Sequence, residues 1–380
     1  MSPPENALVA AALALPLLAG CGGAQPTARP EQVAERQQPP LVVASAAAAS
    51  APPAVSAAPP APRVTTMSLA RGDGAPADAA LARGDRALDD DDLAVAERSF
   101  GEAARLAPGD PAPRVGLARV AVARAGVPYA LASAPKHEGL TRVAAELLAL
   151  SKAHPTYGPA AVELGRVRIL LGEPEPALAA LRRGAELLPA VAEAQSLLGL
   201  AEAATGALDD AVRALAAAAR LDPRDPARHT NLGAVLMTRG DGRAALAAYD
   251  AALALAPDSA RALSGKATVL LAGGDAKAAA PLLERALVAE PKRAAHWTNL
   301  SYARLALGDA DGAVKAAEQA ISLDRSFVSA HLNLGLALAK KKQWDRARRA
   351  FEAARALDPD DPRVKANLEE LEQLRRAKPR

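Results

Sequence analysis

A proline returns every 34 residues, at Pro155, Pro189, Pro223, Pro257 and Pro291, is replaced once by Arg325, and returns at Pro359. A fixed period of this length means one small unit stacked on itself, because each unit finds the cover for its apolar face in its neighbours. Glycines keep the same spacing at Gly172, Gly206, Gly240, Gly274 and Gly308, and alanines at Ala177, Ala211, Ala245, Ala279, Ala313 and Ala347. Leu-Gly pairs recur at Leu164-Gly165, Leu198-Gly199, Leu232-Gly233 and Leu334-Gly335. Between these marks apolar residues fall at i, i+3, i+4 and i+7 in two stretches per period, which predicts two helices. Glycine in the first helix lets the second approach closely. The glycine before an acidic residue (Gly206, Gly240, Gly308) closes the first helix in a left-handed cap. The proline ends the second helix, because it cannot continue the hydrogen-bond ladder.

These marks resemble the tetratricopeptide repeat. The strongest matches are 226–259 (Leu232, Gly233, Ala245, Tyr249, Ala252, Pro257) and 294–327 (Trp297, Leu300, Gly308, Ala313, Ala320), and the last copy, 328–361, has Leu334, Gly335, Trp344, Ala347, Phe351, Ala354 and Pro359. Phasing backwards adds 192–225, 158–191 and 77–110, the last with Gly84, Ala96, Phe100, Ala103 and Pro108. The second copy, 111–157, is enlarged: helix 111–125, a loop over 126–138, helix 139–153. The resemblance implies an all-α, right-handed α-solenoid of eight helix-turn-helix repeats over 77–361, with a capping helix and tail at 362–380. Leu181, Leu215 and Ala317 replace the usual aromatic knob, Lys266 takes a leucine position, and Lys342 takes the glycine position of the last repeat.

Composition agrees with helix. Half of the residues are apolar but only 2% aromatic, and alanine dominates, which disfavours a sheet. With 46 basic and 43 acidic residues, the charge balance points away from a dedicated nucleic-acid binder. A single cysteine excludes an intramolecular disulfide framework and a cysteine-rich metal site.

That cysteine, Cys21, ends an apolar run, ALVAAALALPLLAG over 7–20, which is too short to span a bilayer and suits a secretory leader. The preceding MSPPEN has no Lys or Arg, unlike most leaders. Leu18-Ala19-Gly20-Cys21 resembles the lipobox of bacterial lipoproteins. The resemblance implies a signal peptide at 1–20, cleavage before Cys21, acylation of its sulfur and amine, and, with Gly22 following, the outer membrane facing the periplasm. Residues 21–76 then read as a disordered Ala/Pro-rich tether, with ten prolines and no helical period.

No catalytic constellation emerges. His137-Glu138 lacks the second histidine of a zinc motif, and Ser264-Gly265-Lys266-Ala267 lacks the earlier glycine of a phosphate loop. His229 and His331 stand where the repeat carries tryptophan and read as packed side chains. Asp89-Asp90-Asp91-Asp92 reads as a helix-dipole complement rather than a calcium loop. Lys340-Lys341-Lys342, with nearby arginines, is either a solvated face or a contact for an anionic surface. We therefore expect a non-enzymatic chain with no metal and no cofactor.

By resemblance, a ligand lies on the concave wall of first helices, met by inward residues of each repeat. These include Asn231, Asn299 and Asn333 at the sixth position, flanked by Met237, Leu271, Tyr302, Leu305 and Leu336. An amide donates and accepts at once, so the asparagines either form a ladder for a peptide backbone or are simply common there. The carboxylate-clamp residues of chaperone-tail binders are missing, with Thr230, Ser264, Thr268, Thr298 and Ser329 in that space. The loop at 126–138, with Val127, Tyr129 and Leu131, is either a second contact or an ordinary excursion. The expected function is a protein–protein interaction scaffold of the bacterial envelope that binds an extended peptide or a partner helix. A pilotin-like chaperone for one outer-membrane client, or a soluble adaptor without the lipid, are the alternatives.

Overall fold

The computed structural model describes residues 67–127 and 134–376, and these contain seventeen helices. In chain order they are α1 Pro76–Asp89, α2 Leu93–Leu106, α3 Ala112–Arg124, α4 Glu138–Ala153, α5 Gly158–Leu171, α6 Pro174–Leu187, α7 Ala192–Ala204, α8 Leu208–Leu221, α9 Pro226–Arg239, α10 Gly242–Leu255, α11 Ala260–Ala272, α12 Ala276–Ala289, α13 Ala294–Ala306, α14 Ala310–Leu323, α15 Val328–Lys340, α16 Trp344–Leu357 and α17 Pro362–Arg376. Among the described residues there is no strand, and no helix is long and apolar enough to cross a membrane. The fold is an all-α solenoid. It divides into two compact units, one ending at Lys292 with α1–α12 and one from Arg293 with α13–α17.

Each helix pair is set by its punctuation. Gly172, Gly206, Gly240, Gly274 and Gly308 follow the first helices with φ between 76° and 96°, a region that favours glycine. Asp91 (φ 62°) and Lys342 (φ 59°) take the same position in their pairs. Aspartate caps then open second helices: Asp92 accepts from the Val95 N–H at 3.0 Å, Asp275 from Ala278 at 2.9 Å and Asp309 from Gly312 at 2.8 Å. The periodic prolines lie two residues past α4, α6, α8, α10, α12 and α16.

The knobs of the second helices sit over the glycines of the first. A Cβ added at Gly335 would lie 2.3 Å from the Phe351 ring, and one at Gly165 2.3 Å from Leu181. Phe100 fills the space over both Gly84 and Gly116, and Tyr249 that over Gly233 and Gly265. Where leucine replaces the aromatic, as at Leu181 and Leu215, the side chain is still fully buried.

First helices of consecutive repeats touch each other within a unit, α1 on α3, α3 on α5, α5 on α7, α7 on α9, α9 on α11, and again α13 on α15 and α15 on α17. They form one continuous wall per unit. Residues 67–75, which composition assigns to the tether, are part of the folded first unit. Leu69 is 3% exposed and belongs to its apolar core. Cys21 and the residues 1–20 expected to form a leader lie outside the described residues.

Candidate functional site

The wall of the first unit carries a row of buried charges. α1 supplies Asp78 and Asp85, α3 Arg119, α5 Glu163 and Arg166, α7 Glu193 and α9 Arg228. Arg119 Nε donates to Glu163 Oε1 at 2.7 Å, and Arg166 Nε to Glu163 Oε2 at 3.0 Å. Arg166 also donates to Glu193, and Arg119 Nη1 lies 3.8 Å from Asp85 Oδ1. Buried charges are tolerated only when paired and hydrogen-bonded, and here acid and base alternate along the row from Asp85 through Arg119, Glu163, Arg166 and Glu193 to Arg228. Burial pushes the Glu193 carboxyl up, but Arg166, Arg119, the Met67 N–H and Arg228 together carry it below the ordinary carboxylate range. Burial likewise works against the Arg119 charge, and Glu163, Glu193 and Asp85 outweigh it.

A non-helical stretch of chain, residues 67–72, turns over this row, ending at Gly72 with φ 73°. The Met67 N–H donates to Glu193 Oε2 at 2.6 Å, and Arg119 Nη1 donates to the Met67 carbonyl at 2.7 Å. Asp85 Oδ2 accepts from the Leu69 N–H at 2.7 Å, the Ala70 N–H at 3.3 Å and the Ser68 hydroxyl at 2.9 Å. Asp78 accepts from the Arg71 N–H at 2.5 Å and the Gly72 N–H at 2.9 Å. The Arg71 side chain pairs with Asp110 at 2.6 Å. Backbone polar groups taken from water need partners, and here first-helix side chains supply them. From Gly72 back to Met67 the segment passes from α1 to α3 and α7.

The asparagines and their neighbours divide between the units. In the first, Asn231 is fully buried and neither amide atom has a hydrogen-bond partner. Met237 is half-buried against the cluster around Tyr249, and Leu271 is buried. In the second, Asn333 Nδ2 donates to the Thr298 carbonyl at 3.0 Å, so this amide ties α15 to α13. Leu305 and Leu336 are buried in one apolar cluster, while Asn299 and Tyr302 are half-buried; burial raises the Tyr302 hydroxyl above its usual value. Thr230, Thr268 and Thr298 each donate to a carbonyl one turn back in their own helix.

Other sequence features have structural partners. His229 and His331 each reach a carbonyl six residues earlier, of Pro223 and Arg325, both at 3.0 Å. Lys340 Nζ donates to the Leu305 carbonyl at 3.2 Å, Lys341 pairs with Asp311, and Arg375 pairs with Asp345 at 3.3 Å. In the enlarged connection, Val127 packs on the first unit's core and the Ala134 N–H donates to the Leu170 carbonyl at 3.0 Å. Tyr129 and Leu131 lie outside the described residues.

The charged row escapes sequence reasoning centred on the asparagines. Its signal was nevertheless present: Asp78 and Glu193 hold the second position of their repeats, Glu163 the sixth, and Asp85, Arg119 and Arg166 the ninth.

A family model described as tetratricopeptide repeat matches residues 162–226, 230–295 and 298–362, just over half of the chain. The chain is similar to the structure of the APC/C hetero-tetramer Cut9–Hcn1, with TM-score 0.59 and 18% identity over 79% of this chain and 57% of that one. It thus spans little more than half of that relative, and the likeness bears on the fold. MamA from Desulfovibrio magneticus RS-1 is 26% identical with TM-score 0.41, covering 45% of this chain and 97% of its own. YrrB, a TPR protein with an unusual peptide-binding site, is 19% identical with TM-score 0.40, covering 50% and 97%. No curated protein matches the chain.

Proposed function

The chain belongs to the tetratricopeptide repeat family, and on that premise we propose that it is a non-enzymatic interaction scaffold whose first-helix wall holds a partner's peptide segment. One observation carries this reading: the wall already holds a non-helical segment, residues 67–72, chiefly through its main chain. Main-chain N–H and C=O groups are common to every peptide, so side chains that satisfy them suit a partner's peptide segment whose main chain is not tied up in a helix.

The setting we propose is the bacterial envelope. Acyl chains on Cys21 would anchor the protein, since two or three chains hold a membrane stably where one does not. The Ala/Pro-rich residues after it would carry the solenoid away from the lipid. Replacing Cys21 with serine should abolish metabolic acyl labelling and release the protein from the outer-membrane fraction; an unlabelled, soluble native protein would remove the envelope from the reading.

The scaffold itself is tested by photo-cross-linking in cells. A cross-linker at Tyr157, at the entry to α5, should trap partner proteins, and one at Arg98 on the second helix α2 should not. Trapping at Arg98 alone would contradict the wall as the binding surface.

A further inference from the structure

We infer that residues 67–72 are a displaceable ligand in cis: the wall site takes a non-helical peptide that turns over the carboxylates and is anchored by a leucine, and a partner peptide enters by evicting the chain's own segment. The inference rests on the proposal that the first-helix wall is a peptide site. Three observations lead to it.

First, the contacts do not define a terminal cap. A cap for a solenoid covers the apolar end of its first repeat. Residues 67–72 instead run along the wall, from Asp78 and Asp85 on α1 to Arg119 on α3 and to Glu193 on α7, which is 126 residues further along the chain from Met67. The ion pairs among Arg119, Glu163, Arg166 and Glu193 involve no atom of the segment. Asp78 and Asp85 would meet water once the segment left.

Second, recognition combines general and specific parts. The N–H groups of Met67, Leu69, Ala70, Arg71 and Gly72 go to Glu193, Asp85 and Asp78. Successive N–H groups converge on one carboxylate, Leu69 and Ala70 on Asp85 and Arg71 and Gly72 on Asp78, so a peptide offers these donors when it turns at these positions. The selective contacts are the buried Leu69 side chain, the Ser68 hydroxyl on Asp85 and the Arg71 guanidinium on Asp110. The favoured partner therefore has a small polar residue, leucine, a small residue and arginine in succession.

Third, the cis segment satisfies the site incompletely. Asp85 Oδ1, Arg119 Nη2 and the Tyr157 hydroxyl are buried without a hydrogen-bond partner. An unsatisfied buried polar group is unfavourable, so a peptide that reaches these atoms binds better than the resident one. The cis segment holds its place by its tether, which gives it an effective concentration on the order of millimolar. Removing that competitor raises the apparent affinity of an outside peptide.

The test uses a fluorescent peptide of sequence TTMSLARGDG, residues 65–74, and the full chain. In fluorescence anisotropy, a Leu69→Asp chain, whose own segment would place a carboxylate beside Asp85, should bind it at least tenfold more tightly than the native chain. Adding Asp85→Asn to that chain should return binding to the native level or below. Equal or absent binding to the native and Leu69→Asp chains, both cooperatively folded, would overturn displacement. If Leu69→Asp does not fold, hydrogen exchange on the native chain decides: the amides of Leu69 to Gly72 should open well short of global unfolding, and exchange only through global unfolding overturns the inference. Partners trapped at Tyr157 in the native chain, together with a fixed segment, would defeat displacement alone. Partners trapped only at Arg98 would defeat the wall as a peptide site.

Discussion

Lys342 shows how a single residue departs from its repeat and leaves a measurable trace. It holds the left-handed position that Gly172, Gly206, Gly240, Gly274 and Gly308 hold elsewhere. A side chain there crowds the following carbonyl at about 1–2 kcal/mol. Lys342→Gly should therefore stabilise the second unit by roughly 1 kcal/mol, read as a higher urea midpoint. No change, or a loss, would show that the lysine makes a contact that compensates. Glu193 is the opposite case, a residue whose environment suits its charge. Because the folded chain holds its carboxyl below the unfolded value, the unfolded chain takes up the proton first and acid favours unfolding. Its contribution is complete above the unfolded value of about 4.3 and is lost as pH falls through the lower folded one. Glu193→Gln should cost about 3–5 kcal/mol at neutral pH, since it breaks a buried pair, and should flatten the acid limb of the stability profile. An unchanged acid limb would assign that limb to other carboxylates.

At the scale of the element, the helix pair is a close contact between a glycine and a knob. In an ordinary exposed helix Gly→Ala is stabilising by about 0.5–1 kcal/mol. At Gly335 the added Cβ would meet the Phe351 ring at 2.3 Å, so Gly335→Ala should destabilise by about 1–3 kcal/mol through overpacking. Thermal unfolding of the variant checks this, and a raised melting temperature would mean that the ring moves aside freely. The helices were legible in the sequence because their limits depend on backbone chemistry that a residue announces by itself. Proline removes a donor, glycine accepts positive φ, and aspartate caps. The site was less legible. Asn333 holds the right place in the repeat, yet its amide donates to the Thr298 carbonyl, and spacing cannot tell a ligand contact from an interhelical one.

The molecule as a whole depends on a juxtaposition that no local pattern encodes. Residues 67–72 have no helical period and follow a proline-rich run, so composition joins them to the tether. What places them is Asp85, Arg119 and Glu193, brought together on one wall by the stacking of four repeats. The charges were visible at inward positions, but their shared occupant was not. Stacking thus turns separate buried charges into a surface that reads a backbone.

If this wall recognises main-chain groups, N-methylation of a bound peptide removes the donors it reads. Two peptides of residues 65–74 would be titrated against the Leu69→Asp chain, one methylated on the leucine and arginine amides corresponding to Leu69 and Arg71, the other with the Ala70 equivalent changed to serine. Each charge-assisted hydrogen bond contributes about 1.5–3 kcal/mol, so methylation should weaken binding by at least tenfold per amide, while the side-chain change should stay within about threefold. Undiminished binding of the methylated peptide would contradict the account.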